Sequence, residues 1–171
     1  MLVLGLAGWS GSGKTTLLTA VLPLLIGQGM SVSTVKHAHH RFDVDQPGKD
    51  SYRHRQAGAR EVLVASSARW ALMHENAGAE PPLAELLTRL APVDLVLVEG
   101  FKAHPHPKLE VYRPALGLPR LWPDRPDVVA VASDAALRDC DRALLPLDDP
   151  PAIARWIGDF VRGRPGVSGD Y

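Results

Sequence analysis

Short, almost wholly apolar runs alternate along the chain with longer stretches whose apolar residues recur at helical spacing. MLVLGLA opens it and reads as a buried strand over about 2–7. TTLLTAVLPLLIG follows with helical spacing and predicts a helix over about 13–27, expected to bend at Pro23 and to stop at Gly27 and Gly29. SVSTVK (31–36) reads as a second strand. HAHHRFDVDQPGKD is polar and turn-rich, so it reads as a long loop, with a short helix from about Asp50 to 59. EVLVAS (61–66) and RWALMHE (69–75) read as paired strands, and LAELLTRLA (83–91) as a helix after two prolines. VDLVLVEG (93–100) and VVAVASD (128–134) are strong buried strands. KLEVYR (108–113) alternates apolar with charged residues and is expected at a sheet edge. ALLPL (143–147) reads as a short last strand. A closing helix begins at Pro150 and Pro151 and carries Ile153, Trp156, Ile157, Phe160 and Val161 as one apolar stripe, with Trp156 read as core.

Strands that alternate with helices predict an α/β fold, three layers around a mainly parallel central sheet. At 171 residues the chain suits one domain, read as 1–162, with a flexible tail over the Gly- and Pro-rich 163–171. Composition is ordinary, with 46% apolar and 22% charged residues. Nineteen basic residues balance nineteen acidic ones, which argues against a general nucleic-acid or anionic-membrane surface. The one cysteine, Cys140, excludes an internal disulfide and a cysteine zinc cluster, and fits a reducing cytoplasm. The first apolar run leads directly into a glycine-rich loop, so no secretory signal is expected.

That loop is GWSGSGKTT, residues 8–16. Gly8, Gly11, Gly13, Lys14 and Thr15 fit G-x-x-x-x-G-K-[ST] between a strand and a helix, the context that gives the P-loop pattern its meaning. Glycines let the backbone turn N–H groups into one concavity, and the new helix adds the positive end of its dipole. Ser10 and Ser12 are small enough to admit a phosphate. Lys14 brings a point charge to the β and γ phosphates, and the Thr15 hydroxyl can ligate Mg²⁺, with Thr16 beside it. The Mg²⁺ side also needs an acid at the end of a neighbouring strand. Glu99 stands there, either on the metal side, directly or through water, or as a strand-end glutamate making only a local hydrogen bond or salt bridge; Asp94, at the far end of that run, is more than about 10 Å away by strand rise.

Three further segments carry candidates. Lys36 and the histidines of KHAHH end the second strand, where ligands gather in parallel sheets. Phosphate or partner contact by Lys36, a metal site on His37, His39 and His40, and a solvated loop are all open there. Asp43, Asp45, Asp50, Lys49, Arg53, Arg55 and Arg60 follow, either as a γ-phosphate-sensing switch or as an ordinary charged face. Asp134 closes the 128–134 strand as a candidate reader of guanine N1–H and its exocyclic amine, or as the cap of the ALRDC turn.

Together GWSGSGKTTLL, TVKHAHHRFDVDQPGKDSYRHRQAGA, DLVLVEGFKAHPHPKLEVYR and VVAVASD resemble the molybdopterin-guanine dinucleotide biosynthesis protein B (MobB) family, from about Leu2 to Val161. The resemblance implies a P-loop GTPase related to nickel-enzyme maturation GTPases. It implies GTP and Mg²⁺ as ligands, weak hydrolysis, a homodimer, and assistance to the guanylyltransferase that joins GMP to molybdopterin and to molybdopterin-loaded proteins. Carried over, Gly11 to Thr16 hold phosphates, Thr15 and Glu99 serve Mg²⁺, Asp50 of GKDS belongs to the switch-like loop, and Asp134 stands near the base. Pro105 and Pro107 make the segment after Phe101-Lys102 unusual. Two other classes remain: a small-molecule kinase, whose lid would be the short RHRQAGAR, and a metal-delivering GTPase using KHAHH.

Overall fold

The computed structural model describes residues 1–38 and 42–163. His39 and His40, and all of the 163–171 tail except Gly163, lie outside them. The chain forms two compact units. The first comprises Met1–His37 and the chain from Thr88 onward; the second is Ala38–Leu87.

The first unit is built on six parallel strands: β1 (Leu2–Ala7), β2 (Val32–Lys36), β5 (Leu95–Glu99), β6 (Lys108–Tyr112), β7 (Val128–Ser133) and β8 (Ala143–Pro146). The strands labelled β3 (Glu61–Ala65) and β4 (Trp70–His74) belong to the second unit. The order across the sheet is β2-β5-β1-β6-β7-β8. This is the α/β class with a mainly parallel sheet that the alternating pattern predicts. Helix α1 (Lys14–Gly27) and the last helix, α4 (Pro150–Gly163), pack together on one face. Leu17, Val21, Leu25, Ile153 and Ile157 there meet Leu4, Leu6, Leu97, Leu109 and Val111 from the strands. Full burial of each such side chain stabilises the fold by about 1.5–3 kcal/mol. Trp156 joins this core from its edge and stacks on Phe160, with ring centroids 5.1 Å apart. α1 continues through Pro23 without interruption.

β6 corrects the expectation of an edge strand. It lies between β1 and β7, and all five of its residues are buried. Its alternation separates two buried faces rather than core from water. Leu109 and Val111 face the helices, whereas Lys108, Glu110 and Tyr112 point the other way. The charges are tolerated because they are matched. Lys108 Nζ donates to Asp127 Oδ2 at 2.5 Å and to the carbonyls of His104 and His106. The Glu110 carboxylate accepts from the backbone N–H groups of Leu121 and Trp122. Burial pushes the Glu110 carboxyl up, and those two N–H groups oppose the shift. Tyr112 packs edge-on against Trp122, which is 2% exposed in a short 3-10 turn over Trp122–Asp124.

The second unit holds α2 (Asp50–Gln56), the antiparallel pair β3 and β4, and α3 (Leu83–Leu87). α2 and α3 are shorter than the patterns predict, because Gly58 and the turn from Thr88 stop them. Arg55 is the polar centre of this unit. It donates to both carboxylate oxygens of Asp43 at 2.6 Å and to Glu75 at 3.2 Å. The Arg55 contact holds the Asp43 carboxyl below the usual carboxylate range. Ser51 donates to Asp45 at 2.8 Å. Leu63, Val64, Trp70 and Leu72 of the hairpin are exposed.

Candidate functional site

The parallel sheet brings the C-terminal ends of β1, β2 and β5 side by side. Leu6 is paired with Glu99, and Glu99 in turn with Lys36. The loop that leaves β1 therefore emerges beside the Glu99 carboxylate. Gly8, Gly11 and Gly13 take φ values of 132°, 80° and 98°, which only glycine adopts without strain. At Gly8 space is equally demanding: a Cβ would stand 2.5 Å from the Val111 carbonyl oxygen and 2.8 Å from Ser12 Oγ. Gly13 caps α1 in the left-handed conformation, so the first free N–H groups of that helix follow the loop directly.

Lys14 Nζ donates back across the loop to the Trp9 carbonyl at 2.8 Å. Burial lowers the Lys14 pKa, Glu99 opposes that shift, and the nearby Lys102 ammonium adds to it. Thr15 Oγ1 donates to Glu99 Oε1 at 2.9 Å and lies 3.1 Å from Oε2. Ser12 Oγ is buried and makes no hydrogen bond among the described residues. The donor set fits Mg²⁺: a hydroxyl and a carboxylate, both hard oxygens, are already in contact, and Mg²⁺ takes one or two such protein ligands with phosphate and water completing its shell. Ser10 and Thr16 are exposed on the loop and the first turn. Lys36 is exposed at the end of β2. His37 stacks on Phe101 at 4.6 Å, and its backbone N–H donates to the Glu99 carbonyl.

Asp134 lies just beyond β7. Its Oδ2 accepts from Arg113 Nη1 at 2.6 Å, while Arg113 Nε donates to the Ser12 carbonyl at 3.1 Å. The residues after Asp134 do not form a helix; Ser133 Oγ accepts from the Ala135 N–H instead. Asp94 sits at the opposite end of β5, where it accepts from the Ser31 N–H and hydroxyl. Asp50 lies in the second unit, exposed at the start of α2, 3.9 Å from Arg53. No group of three or more His, Cys, Asp or Glu placed to hold a metal occurs among the described residues, and the His39 and His40 part of the KHAHH reading lies outside them.

Three side chains near the loop carry no motif of their own. The Trp9 indole N–H donates to the Pro119 carbonyl at 2.7 Å, Lys102 lies 5.4 Å over the Trp9 ring, and Arg113 bridges the loop to Asp134. VEGFK held a signal for Lys102: a strand-end acid followed by glycine must turn sharply. Gly100 and Phe101 both have positive φ, and Phe101 is the one non-glycine residue to do so among those described. Nothing local in the sequence singles out Arg113 or Trp9: Ser12 is 101 positions from Arg113 and Asp134 is 21, while Pro119 is 110 positions from Trp9.

Residues 3–134 match the sequence model of a family described as molybdopterin guanine dinucleotide synthesis protein B, MobB. The chain belongs to the MobB family. It is 43% identical over 169 residues to the molybdopterin-guanine dinucleotide biosynthesis adapter protein of Escherichia coli (strain K12), covering 96% of this chain and 95% of that protein. The Haemophilus influenzae adapter protein is 42% identical over 93% of this chain and 89% of its own length. Among solved structures, a molybdopterin-guanine biosynthesis protein B superposes with a TM-score of 0.74 at 27% identity, over 93% of this chain and 99% of that one. A MobB homolog from Bacillus stearothermophilus does so at 0.72 and 26%, over 96% and 100%. The MobB assignment gives the chain a role in molybdopterin guanine dinucleotide biosynthesis and agrees with the P-loop NTPase fold. No helix among the described residues is long and apolar enough to cross a membrane.

Proposed function

We propose that this MobB protein is a GTP-binding accessory factor with weak GTPase activity, working in the cytoplasm with the molybdopterin guanylyltransferase and with molybdopterin-loaded proteins. The observation that carries this reading is the contact of Thr15 with Glu99 at the mouth of the glycine loop, beside Lys14. Gly11 to Thr16 would receive the phosphates on backbone N–H groups, with Lys14 leaving the Trp9 carbonyl for the β and γ phosphates. Thr15 and Glu99 would hold Mg²⁺, which when bound neutralises phosphate charge. Lys36, at the adjoining strand end, adds a cation to the same rim. Asp134 would read the guanine base.

Slow hydrolysis follows from what the first unit offers. Its loop supplies charge and orientation, and Glu99, in contact with the Thr15 hydroxyl, would serve the metal side rather than activate the attacking water. A homodimer belongs to the same reading, and the exposed Leu63, Val64, Trp70 and Leu72 offer apolar surface for it. The deciding experiment is calorimetric titration of the protein with GTP and with ATP, each with Mg²⁺. Preference for GTP is expected. Equal binding, or preference for ATP, would favour a small-molecule kinase instead.

A further inference from the structure

Arg113 follows β6 directly, and Asp134 follows β7. The two strands are paired with Tyr112 opposite Ser133, so the sheet itself delivers both side chains to one place. β6 also borders β1, whose C-terminal end launches the phosphate loop. Arg113 thus stands between two parts of the proposed nucleotide site and touches both. Its Nε donates to the Ser12 carbonyl, its Nη1 donates to Asp134 Oδ2, and its Nη2 would lie 3.6 Å from a Cβ added at Gly13. The guanidinium is laid against the loop backbone at the turn where α1 begins. Arg113 holds the Asp134 carboxylate through Oδ2, and the Asp134 side chain remains 33% exposed.

We propose that Arg113 is a positioning residue for base selection: it fixes Asp134 relative to the phosphate loop, so that discrimination between guanine and adenine depends on a side chain that touches neither base nor phosphate. The proposal rests on the GTP reading and deepens it. The chemistry is that of a rigid fork. A guanidinium can serve two acceptors at a fixed angle, whereas a lysine ammonium is a point charge on a flexible stem and does not fix the two relative to each other. Guanine presents two N–H donors side by side to a carboxylate; adenine presents a ring acceptor where one of them would be. A carboxylate that swings freely still attracts donors, but gains less from a geometry it must first adopt.

The test is calorimetric titration of the full chain, as the natural sequence and as Arg113→Met, Arg113→Lys and Asp134→Asn. The titrants are GTP, ATP and inorganic tripolyphosphate, all with Mg²⁺. In Arg113→Met, GTP affinity should fall by about tenfold or more, while ATP and tripolyphosphate change by less than about threefold. Arg113→Lys should behave like the methionine variant, because charge without the fork is not enough. Asp134→Asn, which keeps the Arg113 contact to Ser12, should lose the same preference. Retained tripolyphosphate binding shows that each variant folds. Equal loss of all three ligands in Arg113→Met would overturn the proposal, since Arg113 would then only shape the loop. So would an unchanged GTP-to-ATP ratio in both Arg113 variants. Absence of GTP preference in the natural chain would overturn the GTP reading as well, and that result is read before any substitution is made.

Discussion

Thr15 and Glu99 are 84 positions apart in sequence, yet the hydroxyl reaches both carboxylate oxygens, at 2.9 and 3.1 Å. Strand pairing makes this possible: Leu6 is in register with Glu99, so the acid stands one short loop away from the first turn of α1. If these oxygens hold Mg²⁺, Glu99→Ala weakens GTP binding in the presence of Mg²⁺ more than binding in chelator. Titrations under both conditions check this. Equal loss in the two would deny Glu99 its metal role.

Lys14 makes its described hydrogen bond to a carbonyl within its own loop, not to the core. Removing it should leave the fold intact. Charge-assisted hydrogen bonds contribute about 1.5–3 kcal/mol each, and Lys14 is placed to make more than one to phosphate. Lys14→Ala is therefore expected to weaken GTP binding by about a hundredfold or more, with the far-ultraviolet circular dichroism spectrum unchanged. Near-native affinity in a folded variant would refute the phosphate role of the loop.

The parts of the fold that could be read from sequence are those where local pattern and environment agree. β1 and β5 are unbroken apolar runs because both of their faces are covered, and both are found where the pattern puts them. The loop was legible because its demands are local: glycines where φ is positive, lysine and threonine at the helix start. β6 reads as an edge strand because Lys108 and Glu110 look like solvent-facing residues. Their partners, Asp127 and the N–H groups of Leu121 and Trp122, come from a later segment that pattern alone does not bring near. Arg113 is inconspicuous in the sequence for the same reason. Its importance lies in what the sheet order places on either side of it.

The ion pair under β6 should be costly to break from one side. Lys108 is 2% exposed and Asp127 is mostly buried, with Arg125 donating to the same carboxylate at 2.8 Å. Removing one partner of such a pair leaves an uncompensated buried charge, at a cost of about 3–5 kcal/mol. Asp127→Ala should lower the unfolding free energy by that amount in urea titration. Lys108→Met added to it should recover part of the loss, because the stranded ammonium is then gone. Additive losses would show that the two residues act independently.

His106 should contribute to the loss of stability in acid. The ring is 2% exposed, and neither nitrogen has a hydrogen-bond partner among the described residues. It packs against Gly5 so closely that a Cβ there would stand 2.5 Å from Nε2. Burial, with Lys108, His104 and Arg125 adding and Asp127 opposing, pushes its pKa down from 6.5 to about 4. The native state thus holds the ring neutral, while the unfolded chain binds a proton below about pH 6.5. The stabilisation is complete above pH 6.5 and is lost progressively as the pH falls towards 4, a total of about 3 kcal/mol. Asp127 takes over below that: Arg125 and Lys108 hold its carboxyl at about 2, so its contribution disappears as the pH drops from about 4 to 2. Unfolding free energies measured by urea titration at several pH values should therefore fall in two successive windows. His106→Leu should flatten the upper window and leave the lower one in place. Because the readout is the slope between pH 6.5 and 4, it holds even if leucine packs less well against Gly5. An undiminished slope in the leucine variant would assign the acid sensitivity to another group.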